Sequence, residues 1–198
     1  MDRQRSVEAY RNIDLMLWAA LLVVFEGIIL RASRSVLFID QPFTVSLAAA
    51  ITSIVYMRWG YWGGVHACLA GLVYGFLGGG TWIQLMIYAV GNLLSLAVVP
   101  LMNRIGREKL RQSQFLYLGI AYLTLFFMQT GRAIIGMAVG ASFREALRFF
   151  TTDSLSAVFT LVIIWIVRRL DGVYEDQHHY LKRLHAQEKP ADDPWENM

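Results

Sequence analysis

The sequence is poor in charge and has almost no cysteine. Only 17% of its 198 residues are charged while 56% are hydrophobic, and the mean hydropathy is +0.44. A water-soluble globule needs a charged surface and has a different balance, so the class is membrane. The one cysteine, Cys68, lies in an apolar run, which excludes a disulfide framework or a thiolate metal site within one chain. There is no basic stretch, because Lys and Arg sit at the ends of apolar segments, so the net charge of +3 does not point to nucleic acid.

Chemical motifs are missing as well. Gly78, Gly79 and Gly80 are followed by Thr81 and Trp82 rather than by Lys-Ser/Thr, so they form no phosphate loop and ATP is not expected to bind. No Gly-x-Ser-x-Gly, no His-Glu-x-x-His and no Ser/His pair at a shared depth occurs, so no enzyme is expected. His178, His179 and His185 sit in a polar tail without a metal-site spacing and read as solvated, so neither metal nor cofactor is expected. No internal repeat stands out. No signal peptide is apparent either: the first apolar segment, from about Ile13, is too long for one and reads as a retained span.

What is present is a series of long apolar runs. A spanning helix needs roughly 20 mainly apolar residues. That ruler places helices at about Ile13 to Leu30, Phe43 to Met57, Gly60 to Leu77, Trp82 to Met102, Phe115 to Val139 and Thr152 to Val167. The runs are continuous rather than alternating, which favours helices over barrel strands. The expected fold is all-α: a polytopic membrane protein with about six transmembrane helices in one bundle over residues 1–170. Residues 171–198 should form a cytoplasmic amphipathic helix and a disordered tail after Pro190. The closely spaced second and third segments leave five spans with a re-entrant element as the alternative.

Basic residues set the orientation. In a six-span scheme one side holds Arg3, Arg5, Arg11, Arg58, Arg104, Arg107, Lys109, Arg111, Arg168, Arg169, Lys182, Arg183 and Lys189. The other side holds Arg31, Arg34, Arg144 and Arg148, and Arg132 falls inside a span. Both termini are therefore expected in the cytoplasm of a bacterial cell, and the chain in its cytoplasmic membrane.

Two patterns follow from this arrangement. Gly63, Ala67, Gly71, Gly75 and Gly79 recur at intervals of four and form one ridge of small residues, suited to close helix packing or to docking of a partner subunit. Depth along alternating helices also gathers polar residues in the outer leaflet: Glu26, Arg31 and Arg34 on the first span, Trp82 and Gln84 opening the fourth, Gln129 and Arg132 on the fifth, and Thr151, Thr152 and Asp153 opening the sixth. A charge in hydrocarbon costs at least ~2.5 kcal/mol, so Glu26 and Arg132 should face the bundle interior with partners. They would form either a packing pair or an outward-opening ligand pocket. Thr-Thr-Asp before an apolar run also reads as a helix N-cap. Trp59, Trp62 and Trp82 read as interfacial belt residues, and Asn92 and His66 as sources of interhelical hydrogen bonds.

Six helices in about 200 residues, cytoplasmic termini and an outer polar cluster together resemble the substrate-binding S subunits of energy-coupling factor (ECF) vitamin transporters. So do Arg58-Trp59-Gly60-Tyr61-Trp62-Gly63 before the glycine-rich segment, and Phe149-Phe150-Thr151-Thr152-Asp153 before the last one. The resemblance covers nearly the whole chain and is one of architecture. It implies capture of a vitamin-like nutrient from outside, with a transmembrane T subunit and two ATPase subunits as partners. On this resemblance Glu26, Arg31, Arg34, Trp82, Gln84, Gln129, Arg132, Thr152 and Asp153 would bind an anionic or amphoteric nutrient. The family's first-helix Ala-x-x-x-Ala is absent, since Ala19 and Ala20 are followed four residues on by Val23 and Val24. The chain also resembles the MreD-like membrane subunits of the rod-shape machinery, which implies a scaffold of a cell-envelope complex with no small ligand.

Overall fold

A computed structural model describes residues 2–33 and 45–170, together with Val173 and Gln177. Among the described residues every regular element is helical. The order is α1 (Asp2–Ala32), α2 (Ala48–Trp59), α3 (Gly63–Leu77), α4 (Trp82–Asn92), α5 (Val98–Ile105), α6 (Arg107–Gln112), α7 (Gln114–Ala138), α8 (Phe143–Thr152) and α9 (Ser154–Val167). A 3-10 turn at Gly60–Trp62 joins α2 to α3, and another at Leu93–Ala97 joins α4 to α5.

Among the described residues, four stretches are long and apolar enough to cross a membrane: Val7–Ala32, Trp82–Ile105, Gln114–Ala138 and Phe143–Val167. The two remaining expected spans are helical but short. At about 1.5 Å per residue, the 12 residues of α2 and 15 of α3 reach about 18 and 22 Å, against about 30 Å of hydrocarbon.

The reason α2 can be short lies in its position. All 12 of its residues are buried, and it packs against α1, α3, α7 and α9. Its Ala50, Ile54, Tyr56 and Met57 meet Val98, Val99 and Met102 of α5 and Tyr117, Ile120 and Ala121 of α7 in the main core. Gly60 ends it with φ +60, a left-handed conformation that a side chain would resist, and a Cβ there would lie 2.8 Å from Arg107 Nη2.

The small-residue ridge of α3 is covered from within the chain. A Cβ on Gly63 would collide with the Tyr56 ring, and one on Gly71 with the backbone at Tyr88 and Ala89 of α4. At Gly75 it would meet Leu85 at 3.3 Å, and Ala67 is fully buried. Gly79 differs: it has φ +67 and nothing within 4 Å, so it serves the turn into α4.

Candidate functional site

The buried polar groups of the bundle form two clusters, and a close helix contact helps to position the first. In α4 and α7, Gly91 and Gly131 face each other so closely that a Cβ on Gly91 would sit 2.6 Å from the backbone nitrogen of Arg132. The residues that follow these glycines, Asn92 and Arg132, are thereby brought side by side. Arg132 Nε donates to Asn92 Oδ1 at 2.8 Å, and Arg132 Nη1 donates to Asp153 Oδ2 at 2.6 Å. The guanidinium lies 5.0 Å from the Tyr88 ring centroid and 5.8 Å from that of Tyr74, within cation–π range. Arg132 is 1% exposed.

Asn92 extends the network by donating through Nδ2 to the Ala67 carbonyl of α3 at 2.9 Å. Its own carbonyl accepts the Ser95 hydroxyl proton at 2.6 Å. Ser95 has one proton to give, so the 2.7 Å contact between Tyr56 Oη and Ser95 Oγ has the tyrosine as donor.

Glu26 enters the same neighbourhood from α1. It is fully buried, with Arg132 and Asp153 close enough to act on its charge. Its Oε2 accepts the backbone N–H of Leu47 at 2.7 Å, which satisfies a free donor at the start of α2 where the helix dipole favours an anion. Ser46 lies beside the carboxylate, and its backbone N–H donates to Ser156 Oγ of α9 at 3.0 Å. The other carboxylate oxygen, Oε1, is buried and has no hydrogen-bond partner. Gln129 is buried one turn from Arg132 on α7.

Other residues expected at this end do different work. The Gln84 side chain accepts the Thr81 N–H at 2.8 Å in a capping box that starts α4. Trp82 is 83% exposed and Arg31 is exposed. Thr151 and Thr152 both donate to the Arg148 carbonyl. The expectation that Thr-Thr-Asp caps the last helix is corrected: α8 runs through Thr152, and the Asp153 side chain turns to Arg132 instead of capping α9. Arg34 and the three tail histidines lie outside the described residues.

At the opposite end, Asp14 of α1 holds Arg58 of α2 by two bonds, from Nε at 2.9 Å and Nη2 at 2.8 Å. Asp14 also accepts the Trp59 indole N–H at 2.6 Å, so Trp59 is a buried structural residue rather than a belt residue. Arg58 Nη1 reaches the Val173 carbonyl at 3.0 Å, and Tyr10 Oη donates to Gln177 Oε1 at 3.3 Å. His66 meets the Leu15 carbonyl at 3.0 Å. Asp14 was not singled out from the sequence. Its signal was there, because an acid early in the first apolar run and an arginine ending the next fall at one depth on antiparallel helices. Twelve residues of continuous helix place Asp14 and Glu26 about 18 Å apart.

Among the described residues no group of three His, Cys, Asp or Glu side chains is placed to hold a metal ion. No family model, no curated protein and no solved structure matches the chain.

Proposed function

We propose that this chain is a six-pass subunit of a bacterial cytoplasmic membrane that captures a small, vitamin-like nutrient at the outer ends of its helices, as the S subunit of an ECF-type transporter does. The excess of Lys and Arg on the Asp14 side supports cytoplasmic termini, with the Glu26 cluster outside. The short α2, enclosed by other helices, does not meet lipid, so its length is not held to the thickness of the hydrocarbon. The observation that carries the reading is the convergence of Glu26, Asn92, Arg132 and Asp153 from four helices at one end. Ionisable groups buried in a membrane bundle are costly to insert, and solute pathways are among the functions they mark.

Energy would come from a T subunit and two ATPases. With the α3 ridge covered by α2 and α4, T-subunit contact falls to the exposed face of α1 that carries Ala20, Val23 and Val24. The test is thermal unfolding of the purified chain across a panel of vitamins and amphoteric nutrients. A ligand at 100 times its Kd, binding only the folded state, stabilises by about 2.7 kcal/mol. One ligand raising the transition supports the reading, and a flat panel overturns it.

The MreD-like scaffold is the second reading. It is favoured by one fact, that the guanidinium of Arg132 finds its acceptors within the chain. A flat panel together with co-purification of cell-shape proteins would support it.

A further inference from the structure

The end of α9 meets the junction of α6 and α7, and an arginine makes the joint. Arg168 Nη2 donates to the Arg111 carbonyl at 3.1 Å and to the Gln112 carbonyl at 2.7 Å. These are the last two residues of α6, where carbonyls lack helical partners and the dipole favours a cation. Arg169, next in the chain, has its guanidinium 4.3 Å from the Trp165 ring centroid, within cation–π range. Two adjacent arginines are therefore held in place at one corner of the bundle.

More positive charge stands beside them. Lys109 shares the last turn of α6 with Gln112 and is exposed, and Arg104 in the last turn of α5 is exposed too. Glu108, the acid of α6, accepts from Arg111 and Gln112 at 3.1 Å each, while Arg107 turns inward to the Met57 carbonyl at 3.4 Å. Asp171 lies outside the described residues. On the membrane side the surface becomes apolar: Trp165 and Ile166, one turn back along α9, are exposed, and Phe115 in the first turn of α7 is 87% exposed. The stretch Phe143–Val167, long and apolar enough to span, ends just before Arg168, so this corner falls where hydrocarbon gives way to headgroups. Apolar surface topped by positive charge matches a lipid whose acyl chains end in a negative headgroup.

We propose that this corner docks an anionic phospholipid of the inner leaflet, with Lys109, Arg168 and Arg169 around its phosphate and its acyl chains against Trp165 and Phe115. Arg168 carries N–H groups on Nε and Nη1 besides those that Nη2 gives to α6, and phosphate accepts charge-assisted hydrogen bonds from such a fork. Basic pockets between spanning helices on the cytoplasmic side suit such headgroups, and that leaflet holds the anionic lipids. A zwitterionic headgroup would bring a further cation to a corner already crowded with them. The inference rests on the membrane placement and orientation of the chain, and it is independent of nutrient capture.

The experiment follows thermal unfolding of the full chain in a neutral detergent while dioleoylphosphatidylglycerol or dioleoylphosphatidylcholine is titrated in. Phosphatidylglycerol is expected to raise the transition, less so at high salt, and phosphatidylcholine to leave it nearly unchanged. Lys109→Gln with Arg169→Gln spares the Arg168 bonds to α6 and should raise the phosphatidylglycerol concentration for half the effect about 10- to 30-fold. Lys109→Arg with Arg169→Lys keeps both charges and should restore most of the affinity. The unliganded transition reports whether each variant folds, and Lys109→Gln alone, on an exposed side chain, carries the same test with a loss of about 5-fold. Arg144→Gln with Arg148→Gln, at the other end of the bundle, should leave the titration as in wild type. Equal stabilisation by the two lipids, an equal loss in the Arg144 and Arg148 variant, or stabilisation by inorganic phosphate at the same concentration overturns the proposal. So does the absence of any response to phosphatidylglycerol, and a response to polyglutamate in its place would give the corner to an acidic protein. None of these results bears on nutrient capture, which the vitamin panel tests.

Discussion

Removing the guanidinium of Arg132 should cost more than the ion pair itself contributes, because the truncation leaves the Asp153 carboxylate buried without its arginine. Breaking a buried pair from one side costs on the order of 3–5 kcal/mol, whereas replacing both partners with apolar residues of similar volume is often neutral. Arg132→Met alone is therefore expected to lower unfolding stability severely, and Arg132→Met with Asp153→Leu to recover most of the loss. A double-mutant cycle checks this, and additive losses would contradict the pairing. The same logic at the other end makes Asp14→Asn destabilising, since Asp14 answers both Arg58 and Trp59. How far such residues can be read from sequence depends on what fixes them. Glu26, Arg132 and Asp153 stand out because charge inside an apolar run is costly wherever the helices lie. Trp82 and Gln84 share that depth, but Thr81-Trp82-Ile83-Gln84 is also the Ser/Thr-x-x-Glu/Gln pattern of a capping box, and local hydrogen bonding takes the glutamine. Asn92 reads as a hydrogen-bonding residue, while its choice of Arg132 depends on which two helices touch.

Among the elements, the crossing of α4 and α7 decides that choice, and two glycines permit it. Glycine within a helix costs about 1 kcal/mol relative to alanine. Here that cost is offset by backbone contact between Gly91 and Gly131. Gly131→Leu should push α4 away, break the Arg132–Asn92 bond and destabilise by about 1–3 kcal/mol, the range for overpacking. Gly119 lies in the same helix with open space around it, so Gly119→Ala should be neutral or slightly stabilising. Unfolding of the two variants side by side checks the claim, and equal effects would contradict it. The six helical segments were legible in the sequence because apolar length is a local property. The enclosure of α2 was not, since burial on every side and exposure to lipid both select apolar residues. The start of the last helix was legible, since Thr-Thr-Asp before an apolar run marks it, while the turn of the Asp153 side chain to Arg132 was not, because it depends on α7 lying alongside.

For the whole molecule, the account requires two polar ends about 18 Å apart along α1, with the Glu26 end outside the cell and the Asp14 end within it. Everything said of nutrient capture follows from that orientation. The most direct test is labelling of single cysteines with a membrane-impermeant maleimide in intact cells, on a Cys68→Ala background. Arg144→Cys, exposed at the start of α8, and Gln112→Cys, exposed at the end of α6, probe opposite ends. The account predicts that the cysteine at 144 is labelled in intact cells and the one at 112 only after the membrane is opened. Labelling of both in intact cells, or the reverse order, would contradict it.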